Sequence, residues 1–298
     1  MEKEQTINGR IIKGIAGFYY VHDGIDTVYE CRAKGIFRNQ KIKPMVGDSV
    51  TIQVLDQKAR EGSLIQICQR KNQLIRPMVA NVDQALILFA SASPEPNLDL
   101  LDRLLISMEL QDVPSVICFG KADLADEKTE TGFREIYGKS GCPVFMISNY
   151  DGRGLDEVRT LLAGKTTVLA GPSGVGKSSL LNQIVPEANM ETGTVSKKIQ
   201  RGRHTTRHSE LFYVEKNTYI MDTPGFSSLE LMGIACDELK DCYREFDPYE
   251  GLCRFQGCAH IHEPDCRVKD AVKRGEISRR RYDSYCFLYN ELKSIKKY

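Results

Sequence analysis

Apolar and polar positions alternate with period two between Gly9 and Arg70. In "SVTIQVL", Val50, Ile52 and Val54 alternate with Thr51 and Gln53, and "VYECRA" is a shorter run of the same kind. Such alternation predicts half-buried strands. Turn signals separate the runs at Gly14, Gly17, Asp23-Gly24, Gly35, Pro44, Gly47-Asp48 and Glu61-Gly62. Roughly five short strands predict an OB-type β-barrel over residues 1–70, with an SH3-like or other small barrel as the alternative. From Val82 the period changes. Strand-like runs "QALILFA" (84–90), "SVICF" (115–119), "PVFMIS" (143–148) and "TTVLA" (166–170) alternate with helical stretches, the pattern of a parallel sheet wrapped by helices. One helix runs from Asn97 to Leu110, with Asn97 as its cap and Leu101, Leu104, Leu105 and Met108 on its buried face. Two further strands, "ELFYV" and "TYIMD", follow without a helix between them. After about Leu229 the chain turns Cys-rich, then basic and helical. The predicted division is 1–70, an RNA-binding barrel; 71–230, an α/β domain; and 231–298, an α-rich metal-binding segment.

The length of 298 residues suits two or three domains, and 41% hydrophobic with 27% charged residues is an ordinary globular composition. No apolar run is long enough to span a bilayer, and the start "MEKEQTINGR" lacks the apolar stretch of a signal peptide, so a cytoplasmic protein with no membrane partner is expected. A net charge of +1 gives no global sign of a nucleic-acid partner. Local clusters do: "KKIQRGRH", "RRRYD" at Arg279 to Asp283, the terminal "KSIKKY", and Arg32, Lys34, Arg38, Lys41 and Lys43 beside Phe37 in the barrel. The bland reading of each is a solvated face.

Of the ten cysteines, Cys253, Cys258 and Cys266 crowd together, with His260 between the last two. The spacing C-x4-C-x-H-x5-C, outside any secreted disulfide pattern, predicts one closed structural Zn²⁺ site per chain, with His262 as an alternative fourth ligand. "GPSGVGKSS" fits a phosphate-binding loop: Gly171, Pro172, Ser173, Gly174, Val175, Gly176, Lys177, Ser178 and Ser179 follow the strand "TTVLA" and open a helix. Backbone N–H groups there cradle phosphates, Lys177 neutralises the β and γ charges, and the Ser178 hydroxyl ligates Mg²⁺. "DTPG" closes the strand "TYIMD", with Asp222 51 positions after Gly171. The Asp222 carboxylate suits Mg²⁺ held through water, and the Gly225 N–H suits a γ-phosphate. Between them, "GRHTTRH" offers Thr205 or Thr206 as a switch threonine.

The order of these motifs is unusual. "GKAD", at Gly120, Lys121, Ala122 and Asp123, looks like the guanine-reading loop of GTPases, yet it precedes the phosphate loop. If an ordinary GTPase chain is begun just after its DxxG strand, this order is the one expected, and Ser148 then falls in the second base-contacting loop. The segment from Gln84 to Gly225 therefore reads as a circularly permuted GTPase domain. With "GPSGVGKSSLLN", "GRHTTRH", "DTPGFSSLE" and the Cys/His cluster, nearly the whole chain resembles the ribosome small-subunit-dependent GTPase A family.

The resemblance implies an OB domain, a permuted P-loop GTPase domain and a zinc domain. It implies GTP hydrolysis to GDP with Mg²⁺, on the small ribosomal subunit and its 16S rRNA late in assembly, by a monomer whose hydrolysis is stimulated by the subunit and times release. It also favours Thr206 as the switch threonine. Gly120 departs from the usual Asn-Lys-x-Asp pattern, which predicts weaker guanine affinity. Phe226 stands where many GTPases keep a water-orienting glutamine, which predicts slow intrinsic hydrolysis and leaves His204 as the nearest polar candidate for positioning water, with loop surface as its alternative. The rival readings are a nucleotide-dependent kinase or transferase, for which no acceptor pocket with a base is visible, and a non-catalytic RNA-binding module.

Overall fold

The computed structural model describes residues 5–35, 37, 42–75, 77–185, 210–223, 230–231 and 233–294. Its chain falls into two compact units, residues 1–86 with 155–225 and residues 87–154 with 226–298. Among the described residues no helix is long and apolar enough to cross a membrane.

In the first unit the alternating segment closes into a barrel. Strands β1 (Thr6–Ile15), β2 (Phe18–His22), β3 (Val28–Ala33), β4 (Ser49–Asp56) and β5 (Glu61–Ile67) are ordered β1-β2-β3-β5-β4. Period two does its work: Ile11, Val21, Cys31, Val50, Ile52 and Leu64 all point inward and are buried. Two expected turns are not turns. Gly14 pairs with Tyr19 inside β1, and the reversal comes at Ala16 and Gly17. Glu61-Gly62 lies in β5, because Gly62 marks a crowded barrel wall; a Cβ there would sit 2.9 Å from Cys31 Sγ. The turn before it is made by Asp56, whose Oδ1 accepts from the Lys58 and Ala59 N–H groups. Phe37 belongs to the barrel core, so it is not a free stacking surface. Arg32 lies 4.6 Å over the Phe18 ring, and a groove of about 570 Å³ passes Tyr19, Arg32, Lys34 and Lys43. Arg38 and Lys41 lie outside the described residues.

After the small hairpin β6 (Gln73–Leu74) and β7 (Val79–Ala80), strand β8 (Gln84–Ala90) divides its residues between the units. The first unit continues through α3 (Leu155–Leu162), β11 (Thr166–Ala170), α4 (Lys177–Ile184), β12 (Leu211–Glu215) and β13 (Thr218–Asp222), with strand order β8-β11-β13-β12. β11 and β13 run parallel, with Leu169 opposite Asp222, while β12 and β13 form an antiparallel hairpin.

The second unit holds the order β10-β9-β8, from β9 (Ser115–Gly120) and β10 (Val144–Met146), which pair in parallel. Helix α1 (Leu98–Glu109) forms as the sequence predicts: Asn97 accepts from the Leu100 N–H, and Leu101, Leu104, Leu105 and Met108 are buried. So is Asp102. Helix α2 (Glu127–Tyr137) is capped by Asp126. The C-terminal segment packs its own core around Tyr243, Phe246, Tyr285 and Leu288, using α5 (Arg267–Lys273) and α6 (Arg279–Ser294).

The "RRRYD" cluster on α6 is not a free basic face. Arg281 is fully buried and binds Asp102 Oδ1 at 2.5 Å through Nη1 and Glu245 Oε1 at 2.7 Å through Nε, beneath the Tyr243 ring at 4.5 Å. Arg280 donates to Asp99 at 2.6 Å and lies 3.9 Å from Asp102 Oδ2, and Arg279 pairs with Asp283. Burial opposes the Arg281 charge, but Asp102 and Glu245 outweigh it and hold its pKa above the usual value. Removing the cation strands two buried carboxylates, a loss worth about 3–5 kcal/mol. Arg281→Ala is expected to lower the unfolding free energy, read from urea titration of the full chain, by that amount, and Arg279→Ala, on the exposed face, by less than about 0.5 kcal/mol.

Candidate functional site

The phosphate-binding segment grows directly from β11. Its loop bends through Gly171, Gly174 and Gly176 at φ of 140°, 82° and 102°, values that exclude a side chain without strain. Gly176 then caps α4 with no side-chain acceptor, and the first-turn N–H groups of such a helix suit an anion. Val175 is buried and anchors the loop, Ser173 and Gly174 are exposed, and Ser178 and Ser179 are half-buried. The buried Lys177 ammonium donates to Gly171 O at 2.9 Å and Pro172 O at 2.6 Å, so its charge is held inside the loop's curve. Asp222 ends β13 across from Leu169, one residue before β11 ends. Thr223, which the sequence reading passes over, fastens the chain there: its Oγ1 donates to Leu169 O at 2.8 Å. His204, Thr205, Thr206, Gly225 and Phe226 lie outside the described residues.

The base-reading segment is built in the second unit. β9 ends at Gly120, whose carbonyl accepts from the Ser91 N–H at 2.8 Å. Lys121 follows in the left-handed region at φ 56°, with its carbonyl held by Ser91 Oγ at 2.9 Å and its ammonium on Ser93 O. Ala122 to Leu124 make one 3₁₀ turn, and the Ala122 N–H donates to Ile147 O at 3.0 Å, which ties this turn to the loop after β10. In that loop Ser148 is fully buried. Its hydroxyl donates to Asp123 Oδ1 at 2.6 Å and accepts from the Tyr150 and Asp151 N–H groups at 3.1 and 3.3 Å. An exposed carboxylate is thus fixed by a buried hydroxyl, an arrangement suited to accepting paired donors from a planar ligand. Ser91 and Ser93 carried no motif signal, because their contribution is to backbone groups thirty residues away in sequence at most.

The third cluster also forms. The ligand atoms of Cys253, Cys258, His260 and Cys266 all lie within 4.8 Å of one another, and His262 is exposed outside the group, so His260 is the imidazole of the set. His260 Nδ1 is 3.3 Å from Cys266 Sγ and 3.7 Å from Cys253 Sγ, and the two sulfurs are 3.9 Å apart. These edges are close to the ~3.8 Å that a tetrahedron with 2.3 Å Zn–S bonds requires. Tyr282 and Tyr285 of α6 hold the His260 and Ala259 carbonyls, each at 2.6 Å. Burial pushes the Cys258 thiol up to about 12, so a thiolate there needs a cation beside it. The donor set is therefore compatible with a structural zinc.

Two family models match the chain, RsgA GTPase over residues 67–232 and RsgA N-terminal domain over residues 8–62. The small ribosomal subunit biogenesis GTPase RsgA of Agathobacter rectalis is 53% identical over 98% of this chain and 100% of its own length. The chain belongs to the RsgA GTPase family. The RsgA of Alkaliphilus metalliredigens is 47% identical over 97% of this chain and 99% of its own. Among solved structures, YloQ, described as a circularly permuted GTPase, superposes with a TM-score of 0.80 at 40% identity, covering 99% of this chain and 97% of that one. YjeQ from Thermotoga maritima superposes at 0.83 with 33% identity, covering 98% and 100%. As a member of the RsgA GTPase family the chain is a GTP-hydrolysing enzyme, with a closed N-terminal barrel, a central GTPase domain and a C-terminal Cys/His cluster, as the sequence predicts. The kinase or transferase reading finds no support. Ser148→Ala removes the hydroxyl that fixes Asp123 and is expected to weaken GDP binding about 10–150-fold, the worth of a hydrogen bond to a charged group, while leaving the fold intact. A titration with fluorescent GDP reads this directly.

Proposed function

We propose that the protein binds the small ribosomal subunit and hydrolyses GTP during the subunit's late maturation, with subunit-stimulated hydrolysis coupled to release. The relatives named for small ribosomal subunit biogenesis support the partner. The observation that carries the nucleotide choice is the Ser148 hydroxyl on the Asp123 carboxylate, 2.6 Å apart at the end of "GKAD".

In this reading Asp123 accepts from the ring N–H and exocyclic amine of guanine, the Lys121 stem covers the ring, and Gly120, Ala122 and Ser148 shape the pocket around them. Gly171, Pro172, Ser173, Gly174, Val175, Gly176 and Ser179 supply the backbone cradle, and Lys177 neutralises the β and γ charges. Ser178, Thr206 and Asp222 would hold Mg²⁺, which when bound offsets charge on the phosphate oxygens. The Gly225 N–H meets the γ-phosphate, and His204 orients the attacking water. Cys253, Cys258, His260 and Cys266 hold one structural zinc, with no open position for chemistry. The chain works as a cytoplasmic monomer in three parts, 1–70, 71–230 and 231–298, and the first contributes to 16S rRNA binding through its basic groove.

Turnover of GTP by the full chain, alone and with purified subunits, tests the proposal. Slow turnover alone, rising at least tenfold with small subunits and much less with large ones, is the expected result. Equal and fast turnover under all three conditions would contradict it.

A further inference from the structure

Within the first unit the barrel grips the GTPase strands at three points. Lys13 bridges to Glu210 just before β12, with its ammonium 3.0 Å from the carboxylate. The Arg10 guanidinium lies 4.9 Å over the Tyr219 ring and donates through Nη1 to Thr166 Oγ1. His22, only 4% exposed, stacks on Tyr213 at 4.2 Å and meets the Tyr219 ring edge-on at 5.9 Å.

The protons on this last contact can be assigned. The Gly24 N–H points at His22 Nδ1 at 3.0 Å, and a backbone N–H only donates, so Nδ1 carries no proton. The Tyr219 hydroxyl, 3.1 Å from the same nitrogen, therefore donates to it. Burial lowers the His22 pKa against the opposing pull of Asp23 and Asp26, in keeping with a neutral ring. A neutral acceptor thus sits where two donors converge.

The placement of these contacts along the strands gives them meaning. Thr166 and Tyr219 are register partners in the parallel pair β11–β13, and Arg10 touches both. Three residues further along each strand the partners are Leu169 and Asp222. At about 3.3 Å per residue, the barrel holds one end of this pair roughly 10 Å from the other end, where Gly171 opens the phosphate loop and Asp222 stands. A strand is stiff over that distance. Slip or rotation of Tyr219 against Thr166 is carried to Asp222.

We propose that Arg10, His22 and Tyr219 are positioning residues for GTP hydrolysis: the barrel fixes the register of β11 against β13, and so the place of Asp222 beside the phosphate loop. The proposal rests on the reading of Asp222 and Lys177 as phosphate and magnesium residues. Its consequence is that a load on the barrel alters the rate of hydrolysis more than nucleotide affinity, because Asp222 would help hold Mg²⁺, which offsets charge on the phosphate oxygens, while Lys177 and the loop would hold the phosphates before and during the reaction.

The test uses the full chain without subunits. Tyr219→Phe keeps the ring over Arg10 and removes one buried donor, and is expected to lower kcat about fivefold with the GDP Kd within about twofold of wild type. His22→Phe keeps the stacking on Tyr213 but strands two donors, and is expected to lower kcat about tenfold or more. The double variant removes hydroxyl and acceptor together and recovers part of that loss, which a merely additive packing defect does not do. Hydrogen exchange at the Gly24 amide, faster in His22→Phe than in Tyr219→Phe, reports that the acceptor has been lost. Lys177→Ala run alongside separates the two readings: if it still hydrolyses GTP, the assignment of the phosphate loop has failed, whatever the barrel variants do. With Lys177→Ala inactive, kcat within twofold of wild type in both single variants overturns the proposal, and so does a fall in GDP affinity that matches the fall in kcat.

Discussion

Parallel pairing is the constraint on which the GTPase chemistry depends. In a parallel sheet the carboxyl ends of neighbouring strands share one edge, and loops that leave those ends are brought together whatever their order in the chain. Leu169 opposite Asp222 sets the DxxG carboxylate beside the root of the phosphate loop, and Val144 opposite Ile117 brings the loop of Ser148 to the loop of Asp123. Neither register depends on where the chain begins. That is why "GKAD" can precede "GPSGVGKSS" and the same two pairs of loops still form, with the Ser148 hydroxyl seated on Asp123 as the sign that they have.

The C-terminal segment is held by a different physics. Its core is aromatic and sulfur-rich, and the Cys/His cluster and the buried ions lie within it, beside the apolar packing. Arg281 reaches across to Asp102 of α1 and Glu245, and Arg103 of α1 pairs with Glu291 of α6 through Nη1 and Nη2. Helix α1 therefore faces two ways within its unit, one side on the sheet and one on the C-terminal helix. A buried arginine between two carboxylates tolerates little displacement, because any gap leaves a charge without a partner.

Local pattern made most of the elements readable in advance. The alternation of Val50, Ile52 and Val54, the Asn97 cap with its leucines, and the strand–loop–helix around Lys177 each depend on neighbours close in sequence. What was hidden depends on distant partners. Glu61-Gly62 has the composition of a turn, and only the Cys31 sulfur of the neighbouring strand explains the glycine. "RRRYD" has the composition of a solvated face, and only Asp102 and Glu245, far away in sequence, bury its central arginine. Phe37 stands beside basic residues in the sequence, yet it is packed into the barrel core. His260 and His262 are both candidates by spacing, and the fold chooses between them: the His260 ring is buried among the sulfurs while His262 is exposed. Ser91, His22 and Tyr219 belong to no motif, since each acts through a group in another part of the fold.

In the proposed function Asp123, ahead of the phosphate loop in the chain, reads the base of the bound nucleotide. Exchanging its acceptor oxygen for an amide tests this most directly, because Asn at this place opposes the guanine amine but meets the 2-oxo group of xanthine. Hydrolysis by Asp123→Asn should be measured with guanosine and xanthosine triphosphates in competition. At least a tenfold shift in preference toward xanthosine triphosphate is expected, with Lys177→Ala abolishing turnover of both; an Asp123→Asn variant that binds and hydrolyses GTP like the wild type would show that Asp123 does not read the base.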